Sequence, residues 1–159
     1  IDTHRTTYFK KVWRDLGIHH ESIIVDPFAR DCPLGGIWTN DIDPATSARF
    51  HVDAMVFIQE VPVLADMVIF DPPFSSSQAE RKYGATNVYA DGKYFSALAK
   101  ECVDILHPGG RLLKFGFNST RHDPRLKLER GWIANMGGNR NDVIITSWVK
   151  VNTTLDQFS

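Results

Sequence analysis

Four residues that follow a short apolar run have the side chains to act on a planar amine. Asp71, Pro72, Pro73 and Phe74 come directly after residues 67–70, which are rich in strand-forming residues. Two prolines exclude a helix and end a strand, so Asp71 lies at the carboxyl end of a predicted strand, where open α/β sheets bind ligands. An exocyclic amine on adenine or cytosine is a poor nucleophile, because its lone pair is delocalised into the ring.

This tetrapeptide offers such an amine two hydrogen-bond acceptors and an aromatic ring. The Asp71 carboxylate and the Pro72 carbonyl would accept its hydrogens and draw the nitrogen toward a tetrahedral geometry, mainly in the transition state. Phe74 would stack on a base taken out of its helix, a contact worth roughly 1–3 kcal/mol. The motif therefore predicts a pocket that transfers a group to a planar nitrogen. A structural turn that caps a core strand is the alternative interpretation.

The hydrophobic pattern predicts the elements that position this motif. Helices are predicted near residues 5–16, 54–61 and 93–107, the last one ended by the Pro-Gly-Gly segment. Strands are predicted near residues 22–26, 36–41, 49–53, 66–70, 111–117, 131–136 and 142–150. Strands and helices alternate at first and strands pair at the end. This order predicts an α/β fold with a mostly parallel sheet and a C-terminal antiparallel hairpin.

The connections between the early strands are short for an α/β fold. The two connections are residues 27–35 and residues 44–48. Each is shorter than the roughly 10–12 residues that a parallel crossover with a helix needs. We therefore expect trimmed helices and one sheet face that the N-terminal helix covers almost alone. A second copy of the chain or another protein is predicted to cover the remaining apolar surface.

The segment Asp71–Phe74 resembles the catalytic motif of amino-methyltransferases that use S-adenosylmethionine, in the Asp-Pro-Pro-aromatic form of adenine N6 methylation. Four more segments resemble motifs of that family and occur in the family's order: residues 24–29, 40–44, 51–54 and 107–113. The resemblance spans roughly residues 23 to 150, and within the family the chain is similar to small phage-type adenine methyltransferases. It implies a Rossmann-like class I methyltransferase fold.

The resemblance also implies which residues bind the cofactor S-adenosylmethionine. Asp26 would lie near its methionine ammonium, Asp41 near its ribose, as an acid does in dinucleotide folds, and Asp53 at its adenine amine. The full predicted set is Asp26, Pro27, Phe28, Ala29, Asp41, Ile42, Asp53 and Ala54. Residues 30–34 depart from the family pattern, which has glycines there. Asp43 is predicted to cap the turn at Pro44 rather than bind a ligand.

Two polar loops are predicted to bind nucleic acid beside the catalytic motif. One follows Phe74 and the other follows the predicted strand at 111–117. Their candidate residues are Ser75, Gln78, Arg81, Lys82, Asn118, Arg121 and Arg125. The formal net charge of −1 gives no global basic field, so binding would depend on this local patch. Only a short segment separates Phe74 from the next predicted helix, which favours short or weak sequence specificity.

Length and composition predict a single catalytic domain over residues 1–159, with no separate target-recognition domain. No long apolar stretch or signal peptide is recognised, which predicts a soluble, cytoplasmic protein without membrane contacts, in the host cytoplasm if a phage encodes it. Only Cys32 and Cys102 are present, so neither a disulfide framework nor a metal site is expected.

The leading functional hypothesis is methyl transfer from S-adenosylmethionine to adenine N6 in DNA, by direct displacement without a covalent enzyme intermediate. A second hypothesis keeps the enzyme and changes the acceptor to cytosine N4, an RNA base or a side-chain amide. A third is a catalytically silent, methyltransferase-like subunit that binds nucleic acid. The intact motif Asp71–Phe74 argues against the third, since a silent copy has no need of both acceptors and the ring.

Overall fold

The computed structural model describes residues 7–32, 34, 36–73 and 92–151. It has three helices in this part of the chain: α1 (Thr7–Asp15), α2 (Ala54–Glu60) and α3 (Gly92–Asp104). The strands are β1 (Ile24–Val25), β2 (Ala65–Phe70), β3 (Leu106–Gly116), β4 (Leu126–Ala134) and β5 (Val143–Lys150). None of the described helices is long and apolar enough to cross a membrane.

The strands form one sheet in the order β1-β2-β3-β5-β4. β1, β2 and β3 run parallel, whereas β5 is antiparallel to both β3 and β4. The predicted parallel sheet with a C-terminal antiparallel hairpin is confirmed.

Two of the predicted strands are reduced to isolated bridges at the β1 edge of the sheet. Asp26 forms an isolated parallel bridge with Thr39, and Asn40 forms another with Phe50. Turns flank both bridges, and the described residues between β1 and α2 contain no helix. The prediction of trimmed helices is confirmed, while the strands predicted at 36–41 and 49–53 are much shorter than expected because the turns leave no room for a ladder.

Apolar side chains cover the two faces of the sheet unequally. On one face, α2 and α3 pack against the sheet through buried residues that include Phe57, Ile58, Leu98 and Val103. On the other face α1 contributes Phe9 and Val12 to a second core cluster. Beside α1 lies a groove of about 540 Å³, lined by Phe9, Lys10, Trp13, Arg14, Gly17, Ile18, His19 and Leu34. That a second chain covers this face stays a prediction.

The boundary between α3 and β3 differs from the prediction. The helix ends at Asp104, and the Pro-Gly-Gly segment lies inside β3, where the register with β2 shifts between Ala65 and Met67. Gly109 has a φ of 85°, and a Cβ on Gly110 would stand 2.9 Å from the carbonyl oxygen of His107. These glycines therefore form a bulge within the strand rather than a helix cap. β4 also begins earlier than the predicted residue 131, at Leu126.

Hydrogen bonds from Lys150 join the C-terminal hairpin to the end of α3. Its Nζ donates to the carbonyl oxygens of Val103, 2.8 Å away, and Leu106, 2.6 Å away. We expect Lys150→Met to lower the free energy of unfolding by about 1–3 kcal/mol, because it leaves partly buried carbonyls without a donor. Urea unfolding measures the loss. Lys127→Met, at an exposed position of β4, should change it little, and equal losses in the two variants would contradict this assignment.

Candidate active site

Three carboxyl groups meet at the carboxyl edge of the parallel strands. Asp26 directly follows β1, Asp71 directly follows β2, and Asp41 follows the bridging residue Asn40. Asp26 and Asp41 are only 3% and 1% exposed, whereas Asp71 is half-buried. Burial raises the pKa of Asp26 to about 8, and the negative charges of Asp71 and Asp41 add to this shift. Most Asp26 side chains therefore carry a proton at neutral pH.

The loop after β1 takes the turn that glycine would favour without having glycine there. Arg30 has a φ of 49°, in the left-handed region. Its backbone N–H donates to Asp41 Oδ2 at 3.1 Å, and the N–H of Asp43 donates to Asp41 Oδ1 at 2.9 Å. A left-handed residue other than glycine costs about 1–2 kcal/mol, which these bonds offset. Burial raises the pKa of Asp41, and the two backbone N–H donors oppose that shift. The Asp41 carboxylate therefore stabilises this loop through hydrogen bonds.

Asn40 joins this loop to the segment that follows the bridging residue Phe50. Its Nδ2 donates to the carbonyl oxygens of Pro27, at 3.2 Å, and Val52, at 3.0 Å. Its Oδ1 accepts the N–H of Val52 at 3.1 Å. One buried amide thus replaces the ladder that longer strands would supply. The sequence analysis missed this residue, because an asparagine between Thr39 and Asp41 gives no distinct signal in the sequence.

A pocket opens where these segments converge. It is lined by Pro27, Phe28, Asn40, Ile42, Val52, Ala54 and Pro73. Four predicted cofactor residues, namely Pro27, Phe28, Ile42 and Ala54, therefore share one pocket with Pro73 of the catalytic motif. Phe28 also packs against Phe70 with ring centroids 6.3 Å apart. Ala29 is buried beside the pocket, and its N–H donates to the carbonyl oxygen of Asn40. Val52 was missed by the sequence analysis.

Asp53 has a structural function as the N-cap of α2. Its Oδ1 accepts the N–H of Met55 at 2.9 Å. The hydroxyl of Tyr94 donates to the same carboxylate, 2.8 Å from Oδ2, and ties α3 to the start of α2. Asp43 likewise accepts the N–H of Ala45 at 2.9 Å, as predicted for a capping residue, although an isolated turn rather than a helix follows it.

A buried lysine lies on the other side of the catalytic motif. Lys114 on β3 pairs in register with Phe70, the residue before Asp71, and is only 6% exposed. Its Nζ donates to Asn118 Oδ1 at 2.9 Å and to the Thr120 carbonyl oxygen at 3.1 Å. Burial lowers the pKa of Lys114. The sequence analysis missed this residue, although a single charge in the apolar run of β3 was visible.

The loop after β3 also places His122 beside the motif. The His122 ring lies edge-on to Phe70, with centroids 5.8 Å apart. Burial, and secondarily the positive charge of Lys114, lower the pKa of His122. The imidazole is therefore neutral at neutral pH.

The predicted nucleic-acid residues separate into three groups. Arg121 is exposed, and within the described residues it forms no salt bridge. Asn118 is exposed, with its Oδ1 on Lys114. Arg125 does not fit the prediction, because its guanidinium binds Asp123 at 2.8 Å and Asp104 at 2.5 Å. Phe74, Ser75, Gln78, Arg81 and Lys82 lie outside the described residues. Over the described ranges no His, Cys, Asp and Glu side chains form a metal-binding group.

This topology is the Rossmann-like fold of class I methyltransferases. No protein-family model and no curated protein matches the chain. Among solved structures it is similar to the putative methyltransferase yhhF from Escherichia coli, with 13% identity, a TM-score of 0.61, and 90% of this chain and 83% of that chain covered.

Two further solved structures have the same fold. The N-methyltransferase NodS from Bradyrhizobium japonicum WM9 has 11% identity and a TM-score of 0.60, with 94% of this chain and 99% of that chain covered. aTrm5, solved in complex with tRNALeu, has 14% identity and a TM-score of 0.53, with 91% of this chain and 45% of that chain covered. At these identities the likeness establishes the fold.

Proposed function

We propose that this chain transfers a methyl group from S-adenosylmethionine to the exocyclic N6 amine of adenine in DNA. The observation that carries the proposal is the position of Asp71-Pro72-Pro73, which follows β2 at the edge where the pocket and the buried acids meet. We further propose short or weak sequence specificity, because few residues separate Phe74 from Gly92 at the start of α3, and action in the cytoplasm.

The residues present fit S-adenosylmethionine, which supplies an activated methyl group on a cationic sulfur when bound. Two buried acids and Asp71 line this edge, and we assign the methionine ammonium to Asp26, whose proton the bound cation displaces. The apolar side chains of Phe28, Ile42 and Ala54 line this pocket, and we assign them to the nucleoside of the cofactor. Asp41 supports affinity by fixing the Arg30 turn, since both of its oxygens already accept loop N–H groups.

The catalytic step depends on groups of this chain that grip the acceptor amine. The Asp71 carboxylate and the Pro72 carbonyl accept its two hydrogens, which localises the lone pair on nitrogen. Pro73 connects this grip to the cofactor pocket, because it lines that pocket. The interaction strengthens as the nitrogen becomes tetrahedral and positive, so it lowers the barrier rather than only the dissociation constant. Phe74 completes the site as the stacking ring.

Arg121 is the described arginine that we assign to the phosphate backbone, whereas Arg125 is a structural residue. We expect Arg121→Ala to weaken nucleic-acid binding and to reduce the slope of log affinity against log salt by about one. Arg125→Ala should instead lower the urea midpoint, because it breaks the links to Asp104 and Asp123. Fluorescence anisotropy at several salt concentrations gives the slopes. An unchanged slope in the Arg121 variant would refute this assignment.

The proposed activity is tested in two stages. Isothermal titration with S-adenosylmethionine first establishes cofactor binding by the folded chain. Transfer of radiolabelled methyl groups is then measured on unmethylated DNA, N6-methylated DNA of the same sequence, and matched RNA. Labelling of unmethylated DNA alone supports the proposal. Cofactor binding without labelling of any nucleic acid would agree with the fold and would refute the proposed activity.

RNA is the second candidate acceptor, favoured by the similarity to aTrm5, which was solved in complex with tRNALeu. The motif determines that the acceptor is a planar amine more surely than it determines whether the acceptor is DNA or RNA. Labelling of the matched RNA but not the DNA would move the assignment to an RNA base, with the same residues acting. Cytosine N4 and a side-chain amide remain further acceptors for the same grip.

A further inference from the structure

Methylation of an amine leaves a positive nitrogen that must lose a proton, and a second group beside the motif is suited to take it. The loop after β3 returns toward β2 and lays the His122 ring against Phe70, the residue directly before Asp71. We propose that His122 is a catalytic residue that accepts the proton which the substrate nitrogen loses. This inference rests on the proposed methyl transfer and adds a residue to it.

The proton transfer is balanced within the site. The N–H bond breaks as the new N–C bond forms, and the electron pair of the N–H bond stays on nitrogen as the lone pair of the neutral product. A ring nitrogen of His122 uses its own lone pair to bind the proton and becomes imidazolium, which later releases the proton to water. A neutral imidazole is required at the start, and burial together with the nearby Lys114 charge favours that form.

Lys114 is the positioning residue for this imidazole. It fastens the loop through Asn118 Oδ1 and the Thr120 carbonyl, and Asn118 Oδ1 also accepts the N–H of Thr120 at 3.1 Å. Among the described residues, the charged groups near His122 are Lys114 on β3, Asp71 after β2, and Arg121 and Asp123 on its own loop. Asp123 is paired with Arg125. Burial is the main reason that the pKa of the imidazole lies below its ordinary value, and among these charges that of Lys114 lowers it further.

The test combines NMR titration of the His122 ring with single-turnover methyl transfer across pH at saturating cofactor. In the unaltered protein both should give one midpoint below 6.5. Lys114→Gln should raise both midpoints together, and Lys114→Arg, which keeps the charge, should leave the NMR midpoint low. His122→Phe, which keeps the ring packing, should lower the plateau rate by about 100-fold and remove the acid limb. His107→Gln, at the opposite edge of the sheet, should leave the profile unchanged.

The outcomes separate this inference from the proposed function. An active parent protein whose His122→Phe variant keeps its rate and acid limb overturns the catalytic assignment of His122 and leaves methyl transfer standing. A rate midpoint that fails to follow the NMR midpoint in Lys114→Gln overturns it as well. An inactive parent with a low NMR midpoint overturns the methyl transfer, and the proton-accepting assignment with it, while the Lys114–His122 coupling stands.

Discussion

Asp71→Ala should lower the single-turnover rate of methyl transfer by about 100- to 1,000-fold and change the affinity for S-adenosylmethionine by less than about threefold. In the proposed mechanism the Asp71 carboxylate acts on the acceptor amine mainly in the transition state, so its loss should appear in the rate. Rapid-quench measurements at saturating cofactor give the rate, and isothermal titration gives the affinity. Turnover at the parent rate would refute the mechanism.

Asp66 provides a matched control at the other end of the same strand. Its Oδ2 accepts the N–H of Ile23 at 2.7 Å, and its Oδ1 lies 2.6 Å from His107 Nε2. Asp66→Ala should therefore reduce stability and leave the rate near that of the parent. Similar rate losses in both variants would mean that removal of any β2 carboxylate distorts the sheet, and that Asp71 has no special function.

Asp26→Asn is expected to act in opposite directions on stability and on cofactor binding. Because the pKa of Asp26 rises to about 8 in the folded protein, the folded state binds more protons than the unfolded state from about pH 4 to pH 8. Stability from this group is complete below that window and falls as pH rises, by about 4 kcal/mol between pH 5 and pH 8. Asp26→Asn should remove this fall. Urea unfolding at several pH values measures it.

The same substitution should weaken S-adenosylmethionine binding by about 30-fold or more, since it removes a buried partner of the ammonium. Binding of the cation should also drive the proton off Asp26. Titrations near pH 6.5 in buffers of different ionisation enthalpy should then show proton release in the parent protein and none in Asp26→Asn. A binding enthalpy that is independent of the buffer would contradict the placement of the ammonium at Asp26.

The order of elements was predictable because strand ends were strongly marked. Two prolines ended β2 and alternating apolar residues marked the hairpin. The single bridges at Thr39 and Asn40 were not predictable as such, because the strand propensity of residues 36–41 is overridden by the turns around them. Pro108 similarly suggested a helix end, although local sequence does not show that Gly110 faces the carbonyl of Ala65 across a bulge.

The residue types of the candidate site were predictable from the sequence. The interactions that these residues form were less predictable. Pro27, Phe28, Ile42 and Ala54 follow strand ends and do line the pocket. Asp41 and Asp53 have the expected positions, yet their oxygens serve backbone N–H groups and Tyr94, partners that only the three-dimensional arrangement identifies. Arg125 looked like a free cation in the sequence, because its partner Asp104 is distant in the chain.

The bridge at Asn40 means that the two halves of the molecule differ in how easily they come apart. The hairpin half is built from long ladders, whereas β1 is two residues long and the segments beyond it are held by isolated bridges, the buried Asn40 amide and the Asp41 carboxylate. Local opening of the pocket half thus requires the loss of few interactions, and its free energy lies well below that of global unfolding. On the proposed placement of the cofactor in this pocket, part of its intrinsic affinity is used to keep the pocket half closed, so a variant that lengthens those ladders should bind it more tightly without any new contact to the ligand.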